Sequence, residues 1–173
     1  MNLYDYQHEV AIRTMNHDLG PQTQLANLTL GIVGEFAELK FLHLTEFPPS
    51  EEQIKDEGGD VLWYLANLCN VLSIELSQLG PSVYTHNTEP MDLIDDSMLS
   101  FGTIADVVKK TVAQGHVLDI EVIVAETQEL LYYLTGIINY YDLTIEEVCA
   151  YNHQKLLKRY PDGFEASRSV NRG

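Results

Sequence analysis

Apolar residues recur along this chain at helical spacing, and four acidic residues interrupt the pattern on its apolar side. Glu35 and Glu38 stand three apart in GEFAEL, and Glu57 and Asp60 stand three apart in DEGGDVLWYL. That spacing puts both members of a pair on one helix face. Glu35 shares its stripe with Leu28, Ile32, Leu39 and Leu42, while Glu57 and Asp60 share theirs with Ile54, Val61, Tyr64 and Leu68. Acids on such stripes are expected to point into a bundle, where an unpaired charge costs on the order of several kcal/mol. No cluster of Lys or Arg adjoins them in sequence. A divalent metal held by oxygen ligands is therefore the expected counter-charge.

No segment alternates convincingly with period two, so the expected fold class is all-α. The first helix is expected over about 3–17, broken by the GPQT stretch, and the second over about 24–44, stopping before Phe47-Pro48-Pro49. Ser50, with Gln53 as its capping-box partner, should start a helix that runs to about Leu72. Gly58 and Gly59 lie inside it, at about 1 kcal/mol each relative to alanine. They read either as tolerated weakness or as a close backbone approach beside the acids. A short helical turn over about 74–79 precedes Gly80-Pro81, and residues 81–90 read as a polar linker. Helices then resume over about 92–113, 119–141 and 145–159, the last capped by Thr144 with Glu147. The tail from Pro161 to Gly173 looks irregular.

The two halves resemble each other. Glu57-x-x-Asp60 before VLWYLANLCN is matched, at an offset of 69 residues, by Glu126-x-x-Glu129 before LLYYLTGIIN. Leu62, Tyr64, Leu65 and Asn70 recur as Leu131, Tyr133, Leu134 and Asn139. At an offset of 68, Glu35 and Glu38 fall on Thr103 and Asp106. The alternative is that two amphipathic helices share Leu and Tyr by composition. Duplication of a helical hairpin fits better, because the acids, aromatics and apolar spacing recur together. Residues 1–80 then form one unit and 91–173 a second, packed as a single-chain counterpart of a symmetric dimer.

Charge narrows the function classes. The chain carries 26 acids against 10 bases, a formal charge of −16. That argues against a nucleic-acid partner, which needs a basic footprint. Anionic small molecules would have to bind through metal or a few placed cations. No apolar run approaches the roughly 20 residues of a membrane span. The N-terminus lacks a basic segment before an apolar run, so no signal peptide is visible. Cys69 and Cys149 fall in apolar helical patterns and read as buried thiols of a reducing compartment. A cytoplasmic location is expected. The histidines, among them His43, His86, His116 and His153, share no ligand spacing and read as surface or loop residues.

GEFAEL and EGGDVLWYLANL together resemble the E-x-x-E and E-x-x-D signature of the MazG-like, all-α nucleoside triphosphate pyrophosphohydrolases. Asn152-x-x-Lys155-Leu-x-x-Arg159-Tyr-Pro-Asp-Gly-Phe164, followed by SRSVNR, resembles the segment after the last bundle helix in many members. The resemblance implies a helical bundle of that type and hydrolysis of an NTP or dNTP to the monophosphate and pyrophosphate. It implies Mg²⁺, with Mn²⁺ as a substitute, on Glu35, Glu38, Glu57 and Asp60. Glu38 is the catalytic candidate, with the attacking water near it or near another of these acids, and which carboxylate serves as base stays open. One departure stands out. The intact acid pairs lie in the first half, whereas the basic segment ends the second, as in a fused pair whose halves each give part of one site. A further homodimer is an open alternative to a lone fused pair.

Substrate-binding candidates follow. Lys155 and Arg159, four apart near a helix C-terminus, could clamp phosphates, although the helix dipole alone favours bases there. Asn152 could join them. Trp63 or Tyr64 could stack on a base or serve as core aromatics, and Asn67 could read a base edge. Lys40 reads as solvated. Two other readings stand beside hydrolysis: a catalytically lapsed nucleotide-binding or scaffold module, and a related pyrophosphohydrolase acting on phosphoribosyl-ATP.

Overall fold

The fold was obtained as a computed structural model, which describes residues 1–80 and 88–170. All regular structure among them is helical. The N-terminal segment is α1 (Leu3–Asp5), a π-helical stretch (Tyr6–Ala11) and a 3₁₀ turn (Ile12–Thr14). Then come α2 (Pro21–Thr45), α3 (Glu51–Leu72), α4 (Leu76–Leu79), α5 (Pro90–Gln114), α6 (Ile120–Tyr140), α7 (Ile145–Arg159) and α8 (Ala166–Val170).

Local chemistry accounts for most boundaries. Ser50 with Gln53, and Thr144 with Glu147, form reciprocal capping boxes that satisfy orphan N–H groups at the starts of α3 and α7. Asp119 caps α6 through the Val122 N–H. Pro21 and Pro90 each occupy the first turn of their helix, where a missing N–H costs nothing. The GPQT stretch therefore opens α2 rather than standing outside it. Gly115, with φ 73°, ends α5 in the left-handed conformation. The linker expected over 81–90 falls largely outside the described residues, and Pro90 itself belongs to α5.

The single N-terminal helix expected over about 3–17 is instead three short pieces. The wider π turn lets neighbouring residues bury together: Tyr6 with Gln7, and Val10 with Ala11. The buried Gln7 amide is then fully used. Its Nε2 donates to the Ile74 carbonyl (2.8 Å) and to Asn70 Oδ1 (3.1 Å), and its Oε1 accepts from the Leu76 N–H (2.8 Å). This side chain ties the N-terminal segment to the end of α3 and the start of α4.

Helices α2 and α3 form one hairpin, and α5 and α6 another. α2 lies against α5, α3 against α6, and α7 packs on α3 and the N-terminal segment. Phe36 meets Phe101 with ring centroids 5.8 Å apart, and Lys40 pairs with Asp95, so α2 and α5 run antiparallel. One buried cluster runs from Tyr6 through Leu65 and Leu134 to Tyr160, crossing both halves. Trp63 and Tyr64 on α3 meet edge to face (4.8 Å), as Tyr132 and Tyr133 do on α6 (5.8 Å). Cys69 and Cys149 are free, buried thiols, each pushed up to about 12 chiefly by burial. Among the described residues no helix is long and apolar enough to cross a membrane.

Candidate metal and substrate site

Three of the four expected acids converge. Glu35 and Glu38 from α2 and Glu57 from α3 bring carboxylate oxygens within 4.8 Å of one another. They do not point into the bundle. Glu38 is exposed, and Glu35 and Glu57 are half-buried at the rim of the hairpin. The apolar stripe carries their backbone, while the side chains lead the carboxylates out toward solvent. The cluster is short of positive charge. Burial raises Glu35 to about 7, with the Asp60, Glu38 and Glu57 charges adding to it. Glu57 is also raised, first by burial and then by Glu38, Asp56 and Asp60. Lys155 lowers both, but by less than burial and the neighbouring acids raise them, and three hard oxygen donors left short of positive charge fit a hard divalent cation.

Asp60 faces elsewhere. Its Oδ2 accepts from Lys155 Nζ (2.6 Å) and its Oδ1 from Asn152 Nδ2 (3.0 Å). Lys155 also pairs with Asp56 at 2.8 Å. The cation missing from the local sequence thus arrives from α7, over ninety residues along the chain. Burial works against the Lys155 charge, but Asp60 and Asp56 outweigh it and hold the ammonium above its ordinary value. Asn152, fully buried, receives the Tyr6 hydroxyl at 2.7 Å on Oδ1. Both ends of its amide are therefore occupied, and it supports Asp60 rather than facing a ligand. Gly59 makes room for it: a Cβ there would lie 2.8 Å from Asn152 Cβ and Nδ2. Close approach is thus the right reading of Gly59. At Gly58 a Cβ would meet Leu134 and Ile138 at 3.8 Å, an ordinary contact, so tolerated weakness describes that position.

A cleft of about 190 Å³ opens beside the acids, with Glu35, Asp60, Trp63, Tyr64 and Arg159 in its wall. Trp63 is pinned there, its Nε1 donating to Thr14 Oγ1 at 2.7 Å. The Tyr64 ring lies against α2 at Gly31, where any Cβ would sit 2.0 Å from it. Both aromatics are partly buried, core on one side and cleft on the other. Asn67 is not in the wall. It is fully buried, with its Oδ1 taken by Asn70 Nδ2 at 3.1 Å. Lys40, expected to be solvated, is paired with Asp95 of α5. His43, expected at the surface, is partly buried against Tyr141, and its Nδ1 donates to the Leu39 carbonyl at 2.7 Å.

Leu156, Tyr160 and Phe164, all within the Asn152–Phe164 segment, also line the wall, and Thr14, Asn16, Leu19 and Asn27, which were not singled out by the sequence, complete it. Asn27 had a usable signal, since it precedes Glu35 by eight residues, close to the same helix face. Thr14 and Asn16 had none, because their position depends on how the N-terminal segment docks.

The second half offers no equivalent cluster among the described residues. Asp106 is paired with Lys109 and Lys110, whose hydrogen bonds hold it down at about 2. Thr103 turns its hydroxyl back to the Leu99 carbonyl at 2.8 Å. Glu126 and Glu129 stand near Tyr133, whose hydroxyl is raised first by burial and then by Glu129, Asp96 and Glu126. No protein family, curated protein or solved structure matches the chain.

Proposed function

We propose that this protein is a Mg²⁺-dependent nucleoside triphosphate pyrophosphohydrolase of the MazG-like type, cleaving an NTP or dNTP to the monophosphate and pyrophosphate. The observation that carries this reading is the convergence of Glu35, Glu38 and Glu57 beside a cleft walled by Trp63, Tyr64 and Arg159. The three glutamates would hold the ion, with Asp60 behind them. Bound there, Mg²⁺ supplies the charge that lets an acidic site accept a triphosphate and polarises its phosphorus.

The other roles fall to the chain itself. Arg159 offers a planar fork suited to phosphate oxygens. Lys155 is held by Asp56 and Asp60, so its first task is to position α7 across α3. Trp63 and Tyr64 present aromatic surface to a base. Glu38, the exposed acid of the three, would be the one to take a proton from attacking water. The packing of the α2–α3 hairpin on the α5–α6 hairpin supports reading them as a duplicated unit, a pseudo-dimer whose second site has lapsed.

Pyrophosphate release from a panel of NTPs and dNTPs, with Mg²⁺ and with EDTA, tests the proposal. Metal-dependent release from at least one nucleotide is expected, and a folded protein inert on all of them rejects it. One observation favours binding without turnover: Lys155 is already engaged by two carboxylates. Calorimetric binding of a nucleotide that is recovered intact would select that reading.

A further inference from the structure

A buried chain of hydrogen bonds reaches the candidate site from the N-terminal segment and has no part in the chemistry assigned above. It starts at Tyr6, in the π-helical stretch, whose side chain is fully buried. The Tyr6 hydroxyl donates to Asn152 Oδ1 at 2.7 Å, Asn152 Nδ2 donates to Asp60 Oδ1 at 3.0 Å, and Lys155 Nζ donates to Asp60 Oδ2 at 2.6 Å. The order of donors has one solution. A phenol carries one proton and an ionised carboxylate none, so the Asn152 amide must turn its oxygen to Tyr6 and its NH₂ to Asp60. Burial holds the Tyr6 hydroxyl well above its ordinary value, with Cys149 and Asp60 adding to it, so it stays a donor. Both oxygens of Asp60 are thereby fixed, and Asp60 lines the same cleft as Glu35.

Stability alone does not call for this arrangement. Phenylalanine would fill the volume of Tyr6 without a polar atom, whereas a buried hydroxyl left unpaired costs about 1–3 kcal/mol. Asn152 is fully buried as well, and Gly59 forgoes a side chain to admit it. Tyr6, Asn152 and Gly59 thus all serve the placement of one carboxylate at the cleft. A fully satisfied buried network of this kind makes a single geometry rigid. The N-terminal segment touches the cleft a second time at Thr14, whose Oγ1 accepts from Trp63 Nε1. We infer that Tyr6 is a positioning residue of this site: through Asn152 it sets the orientation of Asp60, and so ties the docking of the N-terminal segment to the strength with which the acid cluster holds a divalent cation. The inference rests on the metal-dependent reading given above.

The test is calorimetric titration of the full chain with Mg²⁺ alone, which needs no turnover. Tyr6→Phe keeps the ring and removes only the hydroxyl. It should weaken Mg²⁺ binding about tenfold, the lower end of what losing an outer partner of a metal site costs. Tyr140→Phe removes a hydroxyl bonded to a carboxylate in the second half, Glu89 at 2.9 Å, and should leave the affinity unchanged. The comparison that separates positioning from general loosening uses an Asp60→Asn background. There Tyr6→Phe should have no further effect, because the two substitutions break one chain of contacts. An equal loss in both backgrounds overturns the inference, as does Mg²⁺ binding by Tyr6→Phe that matches the wild type. A wild-type chain that binds no Mg²⁺ removes the metal reading and the inference together, whereas binding indifferent to Tyr6 removes the inference alone. Should Tyr6→Phe fail to fold, Asn152→Ala cuts the same chain at its middle link. The same loss is expected from it, again absent beside Asp60→Asn, and no loss rejects the positioning role.

Discussion

Glu38 shows how a single residue divides structure from chemistry in this molecule. It is the exposed member of the acid triad and helps raise both of its neighbours. Glu38→Gln should therefore abolish Mg²⁺-dependent pyrophosphate release, while the fold holds or gains stability as repulsion falls. Full turnover in that variant, measured beside its melting curve, would remove Glu38 from the mechanism. His43 gives the corresponding pH effect. Burial lowers its pKa, against the hydrogen bond it makes to the Leu39 carbonyl. Protonation then favours the unfolded chain, whose histidine has an ordinary value of about 6.5. The stability this neutral side chain contributes is complete above that value and is lost as pH falls through it. Melting temperatures between about pH 7.5 and pH 5.5 should drop further for the wild type than for His43→Gln. Parallel drops would show that His43 is not responsible.

At the scale of elements, the adjacent glycines of α3 should answer oppositely to one substitution. Gly58→Ala finds ordinary contact with Leu134 and Ile138 and should stabilise by about 0.5–1 kcal/mol, as helix interiors prefer alanine. Gly59→Ala drives into Asn152, which anchors Asp60 and receives the Tyr6 hydroxyl, and should cost about 1–3 kcal/mol. Urea midpoints for the two variants check both signs, and equal shifts would refute the distinction. The same helix shows what a sequence makes legible. Its start was readable from Ser50 and Gln53, because a capping box is local chemistry. Three-residue spacing likewise put Glu35 and Glu38 on one side of α2, but it did not show that they and Glu57 stand at the rim rather than inside the bundle, nor that Asp60 leaves its partner for α7. The Asp60–Lys155 pair was not legible, since it depends on where α7 docks. The N-terminal segment misled for a related reason: the needs of Gln7 at the end of α3 and the start of α4, not helix propensity, decide its π turn. Asn67 lies one turn beyond the cleft aromatics, but α3 rotates it inward.

For the whole molecule, the decisive feature is that the two hairpins share one core. Asp60 of the first half is held by Lys155 and Asn152 of the second, and Tyr6 reaches Asn152 from the N-terminal segment. Neither half can bury its apolar faces alone. Unfolding should therefore be a single transition, with Trp63 fluorescence and far-UV dichroism giving coincident curves in urea. Residues 1–80 expressed alone should be unfolded by dichroism. A folded fragment, or two separated transitions, would mean the halves are independent domains.

Trp63 adds a practical consequence. It is the chain's single tryptophan, and its indole N–H is fixed to Thr14 in the wall of the cleft that Glu35 and Arg159 also line. Excited at the red edge, where the ten tyrosines do not absorb, the indole emission of this protein is thus a one-site signal arising beside the candidate chemistry. Metal or nucleotide entering the cleft can be followed by the colour and intensity of that emission, with no label attached and no background from other indoles.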